Sequence, residues 1–225
     1  MPKRAVITGA NRGIGLEIAT QLSKVGYQII AWCRQASDRL KSLPGCQVIE
    51  GVELTDASSI LRASEQIGSE PIDLLINNAG LLERVGLEGI DEKALDSIQR
   101  QYQLNAIAPV HVTSQLLDRL QSGSKVILIT SRMGSIEDNG SGSHYGYRMS
   151  KAALNAAGKS MAIDLEEKGI AIGVIHPGWV KTDMTSHTGH LTADQAAAQI
   201  IERIDGLTIS NTGTFWHSSG ERLPW

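Results

Sequence analysis

The 225 residues carry 21 Lys and Arg against 24 Asp and Glu, a formal net charge of −3 with no basic cluster, which argues against a nucleic-acid partner. No apolar run approaches the ~20 residues of a membrane span, and the opening MPKRAVITGA enters a strand without the apolar stretch of a signal peptide. Cys33 and Cys46 are the only cysteines and the six histidines are scattered, so neither a disulfide framework nor a metal site is expected, and a reducing cytoplasm is the expected setting.

Ala5–Thr8 is a short apolar run of the kind shown by a strand buried on both faces. It leads into Thr8-Gly9-Ala10-Asn11-Arg12-Gly13-Ile14-Gly15, then into apolar residues at helical spacing, Ile14, Ile18, Ala19 and Leu22, ending before Gly26. Strand, glycine turn and helix in that order let a pyrophosphate approach backbone N–H groups at a helix N-terminus. Tyr27–Cys33 is the second strand. Where a dinucleotide fold would place an acid for the adenosine ribose 2′-hydroxyl, this chain has Cys33 and Arg34, with Arg12 in the glycine loop. Two guanidiniums there suit a 2′-phosphate, hence NADPH over NADH, unless both are simply solvated.

Gln47–Glu50 and Ile72–Asn77 read as further strands, separated by a helix through Ile60, Leu61 and Ile67. Asn77-Asn78-Ala79-Gly80 closes the fourth strand with small and amide side chains that fit beside a flat ligand. Glu88–Leu120 carries apolar residues at helical spacing. Asn105 stands within it among Leu104, Ala106 and Ile107, where a lone amide can equally be a satisfied core group. Val126–Thr130 is the fifth strand and ends at Ser131.

A glycine- and serine-rich loop, Gly134 to Gly146, leads into a helix with Tyr147 and Lys151. Four residues apart, they share a helix face. A cation beside a phenol lowers its pKa from ~10 towards the range useful for general acid–base catalysis. Tyr145 lacks such a partner, because Met149 stands four residues on. Ile170–Ile175 is the sixth strand and runs into His176-Pro177-Gly178-Trp179-Val180. Thr182, Asp183 and Met184 follow, then a polar loop, Thr185–Gly189, with no strong element. Thr192–Ile204 is alanine-rich and helical, and Gly213–His217 is a last short strand before Leu223-Pro224-Trp225.

Strands alternating with helices predict an α/β fold: a Rossmann-type, doubly wound, mainly parallel seven-stranded sheet with helices on both faces, one domain over residues 1–225. The motifs fall at the C-terminal ends of strands and so share one rim of the sheet.

Thr8-Gly-x-x-x-Gly-x-Gly15, Asn77-Asn-Ala-Gly80, Asn105, Ser131, Tyr147-x-x-x-Lys151 and Pro177-Gly178 resemble, in order and over essentially the whole chain, the short-chain dehydrogenase/reductase family. Ser131–Ser135, Tyr145–Leu154 and His176–Met184 are similar to its branch of sniffer-type carbonyl reductases and C-factor-like proteins. The resemblance implies that Tyr147 protonates a carbonyl oxygen and that Lys151 lowers the acidity constant of Tyr147 and bonds the nicotinamide ribose. It implies that Ser131 donates to the same oxygen, and that Asn105 holds the helix geometry and a water. It also implies NADPH held by Gly9, Asn11, Arg12, Gly13, Ile14, Gly15, Arg34, Glu53, Leu54, Asn78, Ala79, Gly80, Tyr147, Lys151, Pro177, Gly178, Val180 and Thr182. Ser131 precedes Tyr147 by sixteen residues, more than is common in the family, so the extra loop Asp138–Ser143 is expected to lie over the pocket.

The candidate substrate pocket is Met133, Ile136, Tyr145, Trp179, Met184 and His187, which would favour a hydrophobic or aromatic carbonyl compound, although such residues can also be core. The expected function is NADPH-dependent reduction of a ketone or aldehyde to an alcohol. The alternative is a nicotinamide-binding signalling protein of C-factor type. An epimerase or dehydratase on nucleotide sugars is disfavoured by the glycine spacing and the chain length. The family resemblance also implies a homodimer or homotetramer joined through the helices of Asn105 and Tyr147. Ala152, Ala153, Ala156 and Ala157 would pack there, or on this chain's own sheet.

Overall fold

In the computed structural model, which describes residues 2–225, the run RAVIT forms β1 (Arg4–Thr8), buried along its whole length. The other strands are β2 (Gln28–Trp32), β3 (Cys46–Ile49), β4 (Ile72–Asn77), β5 (Leu120–Ile129), β6 (Ala171–His176) and β7 (Thr214–His217). They form one seven-stranded sheet in the order β3-β2-β1-β4-β5-β6-β7, with every pairing parallel. The order reverses between β1 and β4. At such a switch point the two chain connections leave in opposite directions and open a crevice beyond the strand ends. The glycine turn after β1 and Asn77–Gly80 after β4 stand on either side of it.

Alternation along each strand divides the core into two layers. Val6, Ile30, Leu75, Val126 and Val174 face one side, with Ala108, Val112 and Leu154 packed on them. Ile7, Ile29, Ile76 and Ile127 face the other, with Ile18, Leu22, Ala197 and Ile200. The helices are α1 (Gly13–Lys24), α3 (Ala57–Glu65), α4 (Glu92–Tyr102), α5 (Ala108–Leu116), α6 (Tyr145–Asp164) and α7 (Ala193–Asp205), and those core residues come from α1, α5, α6 and α7. α6 lies close on the sheet at Gly158, where a Cβ would come within 2.6 Å of Val174 and 2.8 Å of Leu128. Ala156 on the same helix is exposed and Ala152, Ala153 and Ala157 are half-buried, so it is Leu154 and Gly158 that meet the sheet.

Three elements differ from the sequence reading. Glu88–Leu120 is not one helix: α4 begins after Asp91, whose carboxylate accepts from Ala94 N at 2.9 Å, and a π turn at Gln103–Ile107 separates α4 from α5. Pro109 has no N–H to give to the Asn105 carbonyl four residues back, so the α-helical ladder cannot run through this point. α2 (Asp38–Lys41), a single turn capped by the Ser37 hydroxyl on Leu40 N, was not expected at all. β5 begins at Leu120 rather than Val126, with an irregularity in register opposite Ile72 and Leu74.

Candidate active site

Ser131 follows the end of β5, Tyr147 and Lys151 lie in the first two turns of α6, and Asn105 occupies the middle of the π turn. All four are buried; Tyr147 is 7% exposed and Lys151 3%. The Ser131 hydroxyl accepts from Met133 N at 3.1 Å, and its influence on the Tyr147 phenol favours the phenolate. Thr130, its neighbour, points elsewhere and donates to Asn155 Oδ1 at 2.6 Å, as strand alternation requires. The Lys151 ammonium nitrogen donates to the Ile129 carbonyl at 2.8 Å and lies 5.8 Å from the centre of the Tyr147 ring.

The electrostatics correct one expectation. Lys151 does not hold the Tyr147 phenol below its ordinary value. Burial pushes Tyr147 up to about 12, only partly offset by the Ser131 hydroxyl, and pushes Lys151 down to about 7. Both groups are almost wholly buried, and desolvation disfavours the charged form of each. The arrangement therefore pairs a phenol that keeps its proton at neutral pH with an amine that exchanges one there.

Asn105 is both a satisfied core amide and part of the site. Its Oδ1 accepts from Leu81 N at 2.7 Å, and its Nδ2 donates to Leu81 O at 2.8 Å and to Ser150 Oγ at 3.0 Å. Ser150 in turn donates to Tyr147 O at 2.8 Å, so the amide ties the segment after β4 to the helix of Tyr147 and Lys151.

In front of these groups runs a cleft of about 480 Å³ lined by the glycine turn, the ends of β2 and β4, Tyr147, Lys151 and residues 181–184. Gly9 and Gly13 have φ of +67° and +54°, the left-handed region that suits glycine. A Cβ on Gly15 would fall 2.5 Å from both Gly9 O and Asn78 Nδ2, so Gly15 lies under the turn rather than in the cleft wall. Asn78 braces the same turn by donating to Thr8 O and Gly9 O at 3.0 and 3.1 Å. The N-cap of α1, Arg12, makes no side-chain capping bond, which leaves the first N–H groups of the helix for a ligand. A left-handed glycine turn at an uncapped helix N-terminus fits the pyrophosphate of a dinucleotide.

Asn11, Arg12, Ile14, Arg34, Glu53, Leu54, Ala79, Gly80, Pro177 and Thr182 line the cleft as anticipated. Gly178 and Val180 do not: Gly178 turns the chain at φ +85°, and Val180 is buried in a bridge to Leu191. Glu17, Trp32, Arg39, Lys181 and Asp183 line it unannounced. Arg39 lies on the unexpected α2 and grips Glu17 through both guanidinium nitrogens, one at 2.7 Å. Arg12 is also paired, with Asp183 at 2.5 Å, and Asp183 meets His187 at 3.1 Å. The spacing of Arg39 five residues beyond Arg34 is the one signal that could have found it.

Of the substrate-pocket candidates, Met184 and His187 line the cleft, while Met133, Ile136, Tyr145 and Trp179 do not. Ile136 is 80% exposed, because its backbone N–H is tied inward to Trp225 O and its side chain is thereby turned out. Trp179 is 57% exposed and leans on His190. Nor does the loop Asp138–Ser143 line the cleft. Arg148 pins it beside α6, donating to Gly142 O at 3.0 Å and to Ser141 Oγ at 2.8 Å. Among the described residues no group of three or more His, Cys, Asp or Glu is arranged to hold a metal ion, and no helix is long and apolar enough to cross a membrane.

Residues 3–193 match the family described as short chain dehydrogenase. Among curated proteins, 1-hydroxy-2-glutathionyl-2-methyl-3-butene dehydrogenase of Rhodococcus sp. (strain AD45) is 34% identical over 98% of this chain and 98% of its own. C-signal of Myxococcus xanthus is 41% identical over 69% of this chain and 93% of its own. The NADPH-bound carbonyl reductase from chicken fatty liver superposes with a TM-score of 0.90 at 29% identity, covering 100% of this chain and 99% of that one.

Proposed function

This chain belongs to the short-chain dehydrogenase/reductase family, an oxidoreductase family that uses nicotinamide cofactors, and we propose that it is an NADPH-dependent carbonyl reductase with Tyr147 as general acid. The observation that carries the reading is the grouping of buried Tyr147 and Lys151, one helical turn apart, in the wall of a cleft that fits a dinucleotide, with Ser131 buried at the end of the adjoining strand. When bound, the cofactor supplies the hydride. The Ser131 hydroxyl, which already accepts from Met133 N, would give its own hydrogen to the substrate oxygen as negative charge gathers there. Tyr147 holds its proton at neutral pH and is the donor to that oxygen. Lys151, able to gain and lose a proton near pH 7, would restore it, while Asn105 holds the two helical segments in register.

The glycine turn and the first N–H groups of α1 would hold the pyrophosphate, and Asn78–Gly80, Pro177 and Thr182 the nicotinamide half. The preference for NADPH is supported by Cys33-Arg34 at the end of β2, where no acid stands to meet the ribose. It is further supported by the pairing of two of the three cleft carboxylates, Glu17 and Asp183, with arginines, while the third, Glu53, accepts from Thr55. A cytoplasmic setting is consistent with the unpaired thiols Cys33 and Cys46. A homodimer or homotetramer is supported by apolar side chains left exposed on α4, α5 and the π turn, among them Leu95, Ile107 and Val110.

The test is oxidation of NADPH by the purified protein with a panel of activated ketones and aldehydes. Loss of absorbance at the nicotinamide band with at least one is expected; bound NADPH that no carbonyl compound oxidises would overturn the reading. The Rhodococcus relative is named for an alcohol bearing a glutathionyl group, so the panel includes glutathione-linked alcohols run with NADP in the reverse direction. The likeness to C-signal favours a second reading, a cofactor-binding signalling protein whose turnover is secondary. A biological role that survives Tyr147→Phe, with reduction abolished, would select it.

A further inference from the structure

The loop that begins at Ser131 is held from behind by a segment ninety residues further on. Residues 221–225 fold back along β7: His217 N donates to Glu221 O at 2.8 Å, Leu223 N to Phe215 O at 2.8 Å, and Trp216 bridges Arg222 in antiparallel sense. Leu223 is buried and the Trp225 ring stacks on Phe215, 5.5 Å between centres and 24° between planes. That stacking places the main-chain oxygen of Trp225 where three donors of the loop converge on it. They are Ser135 Oγ at 2.8 Å, Ile136 N at 2.5 Å and Glu137 N at 3.2 Å. Glu221 adds a second tie, to Arg132 at 3.3 Å.

The other side of the loop is equally closed. A Cβ on Gly134 would come within 2.7 Å of the Lys151 carbonyl carbon, so the loop lies directly on the backbone of α6 at Lys151. Between these two supports runs one turn of 3₁₀-helix, Arg132–Gly134, capped by the Ser131 hydroxyl through Met133 N. A three-residue 3₁₀ turn has little stability of its own. Its geometry depends on what holds its ends, and so does the direction of the Ser131 hydroxyl that caps it.

We propose that Ser135 and Trp225 are positioning residues for Ser131: the 221–225 segment clamps the loop against α6 and thereby aims the Ser131 hydroxyl at the substrate oxygen. The proposal rests on the carbonyl-reductase reading for its kinetic consequence, though not for its structural one.

The test compares Ser135→Ala, Trp225→Gly and Trp225→Phe, each also in a Ser131→Ala background. Losing a hydrogen bond that acts only in the transition state lowers kcat and kcat/KM together, and one such bond corresponds to roughly tenfold. Ser135→Ala and Trp225→Gly are expected to lose about that much kcat with NADPH affinity unchanged. Trp225→Phe, which keeps the stacking and the main-chain acceptor, is expected to restore it. In the Ser131→Ala background Ser135→Ala is expected to add almost nothing, because coupled groups are not additive. Amide exchange at Met133, the N–H that reports on the Ser131 hydroxyl, is expected to quicken in Ser135→Ala and Trp225→Gly. Unchanged exchange at Met133, or a further full loss on top of Ser131→Ala, would overturn the proposal. If the wild-type protein reduces no carbonyl compound, the functional reading fails and Met133 exchange alone decides the clamp.

Discussion

Lys151 donates its hydrogen bond to the Ile129 carbonyl oxygen, at 2.8 Å, and not to the phenol one turn before it on the helix. The amine is thereby anchored to the last residue of β5, in the same dry wall as Tyr147, and burial brings it down to about 7. An ammonium held by one carbonyl cannot recover the hydration it has lost. Burial thus favours the neutral form of both groups, raising the phenol and lowering the amine.

A pH dependence follows with a definite sign. Below about 7 Lys151 carries its proton and can restore that of Tyr147; above it, the amine is neutral. Carbonyl reduction is expected to be level on the acid side and to fall about tenfold per pH unit above the inflection. A profile of kcat/KM between pH 5 and 9 checks this. Lys151→Arg, charged throughout the range, is expected to lose the inflection whatever activity remains.

Gly15→Ala tests the glycine turn. The added methyl would fall 2.5 Å from Gly9 O and Asn78 Nδ2, backbone and braced amide that cannot both give way. Overpacking of this kind costs about 1–3 kcal/mol. Thermal unfolding is expected to drop by several degrees, and NADPH affinity, measured by fluorescence titration, to weaken by at least roughly tenfold because the turn opens.

Arg34→Asp tests the cofactor preference. With Arg12 engaged by Asp183 and Arg39 by Glu17, Arg34, just beyond the end of β2, forms no ion pair among the described residues. Reversing its charge is expected to weaken NADPH by about tenfold or more, the scale of a charge-assisted hydrogen bond. NADH should be held as well as before, or better. Dissociation constants for both cofactors, at one ionic strength, decide it.

The sheet was legible because β1, β4 and β6 are near-continuous apolar runs closed by glycine or asparagine turns, a pattern imposed by burial on both faces. Ser131, Tyr147 and Lys151 were legible because helical spacing and strand ends bring them to one rim. What packing decides was not. The π turn at Asn105 lies inside an unbroken helical periodicity and is marked only by Pro109. The rise of Tyr147 and fall of Lys151 depend on excluded water, which no spacing reports. Ile136 was assigned to the pocket on its chemistry, yet Trp225 turns it outward.

Whether the Tyr147 phenol delivers the proton is measured most directly by Tyr147→Phe. The change leaves the ring and removes the hydroxyl alone, so single-turnover oxidation of bound NADPH by a reducible ketone isolates the chemical step. A fall of about 10²–10⁴-fold is expected, the usual contribution of a positioned general acid, with NADPH affinity within about twofold of wild type. A variant that turns over at the wild-type rate with cofactor equally bound would contradict the account.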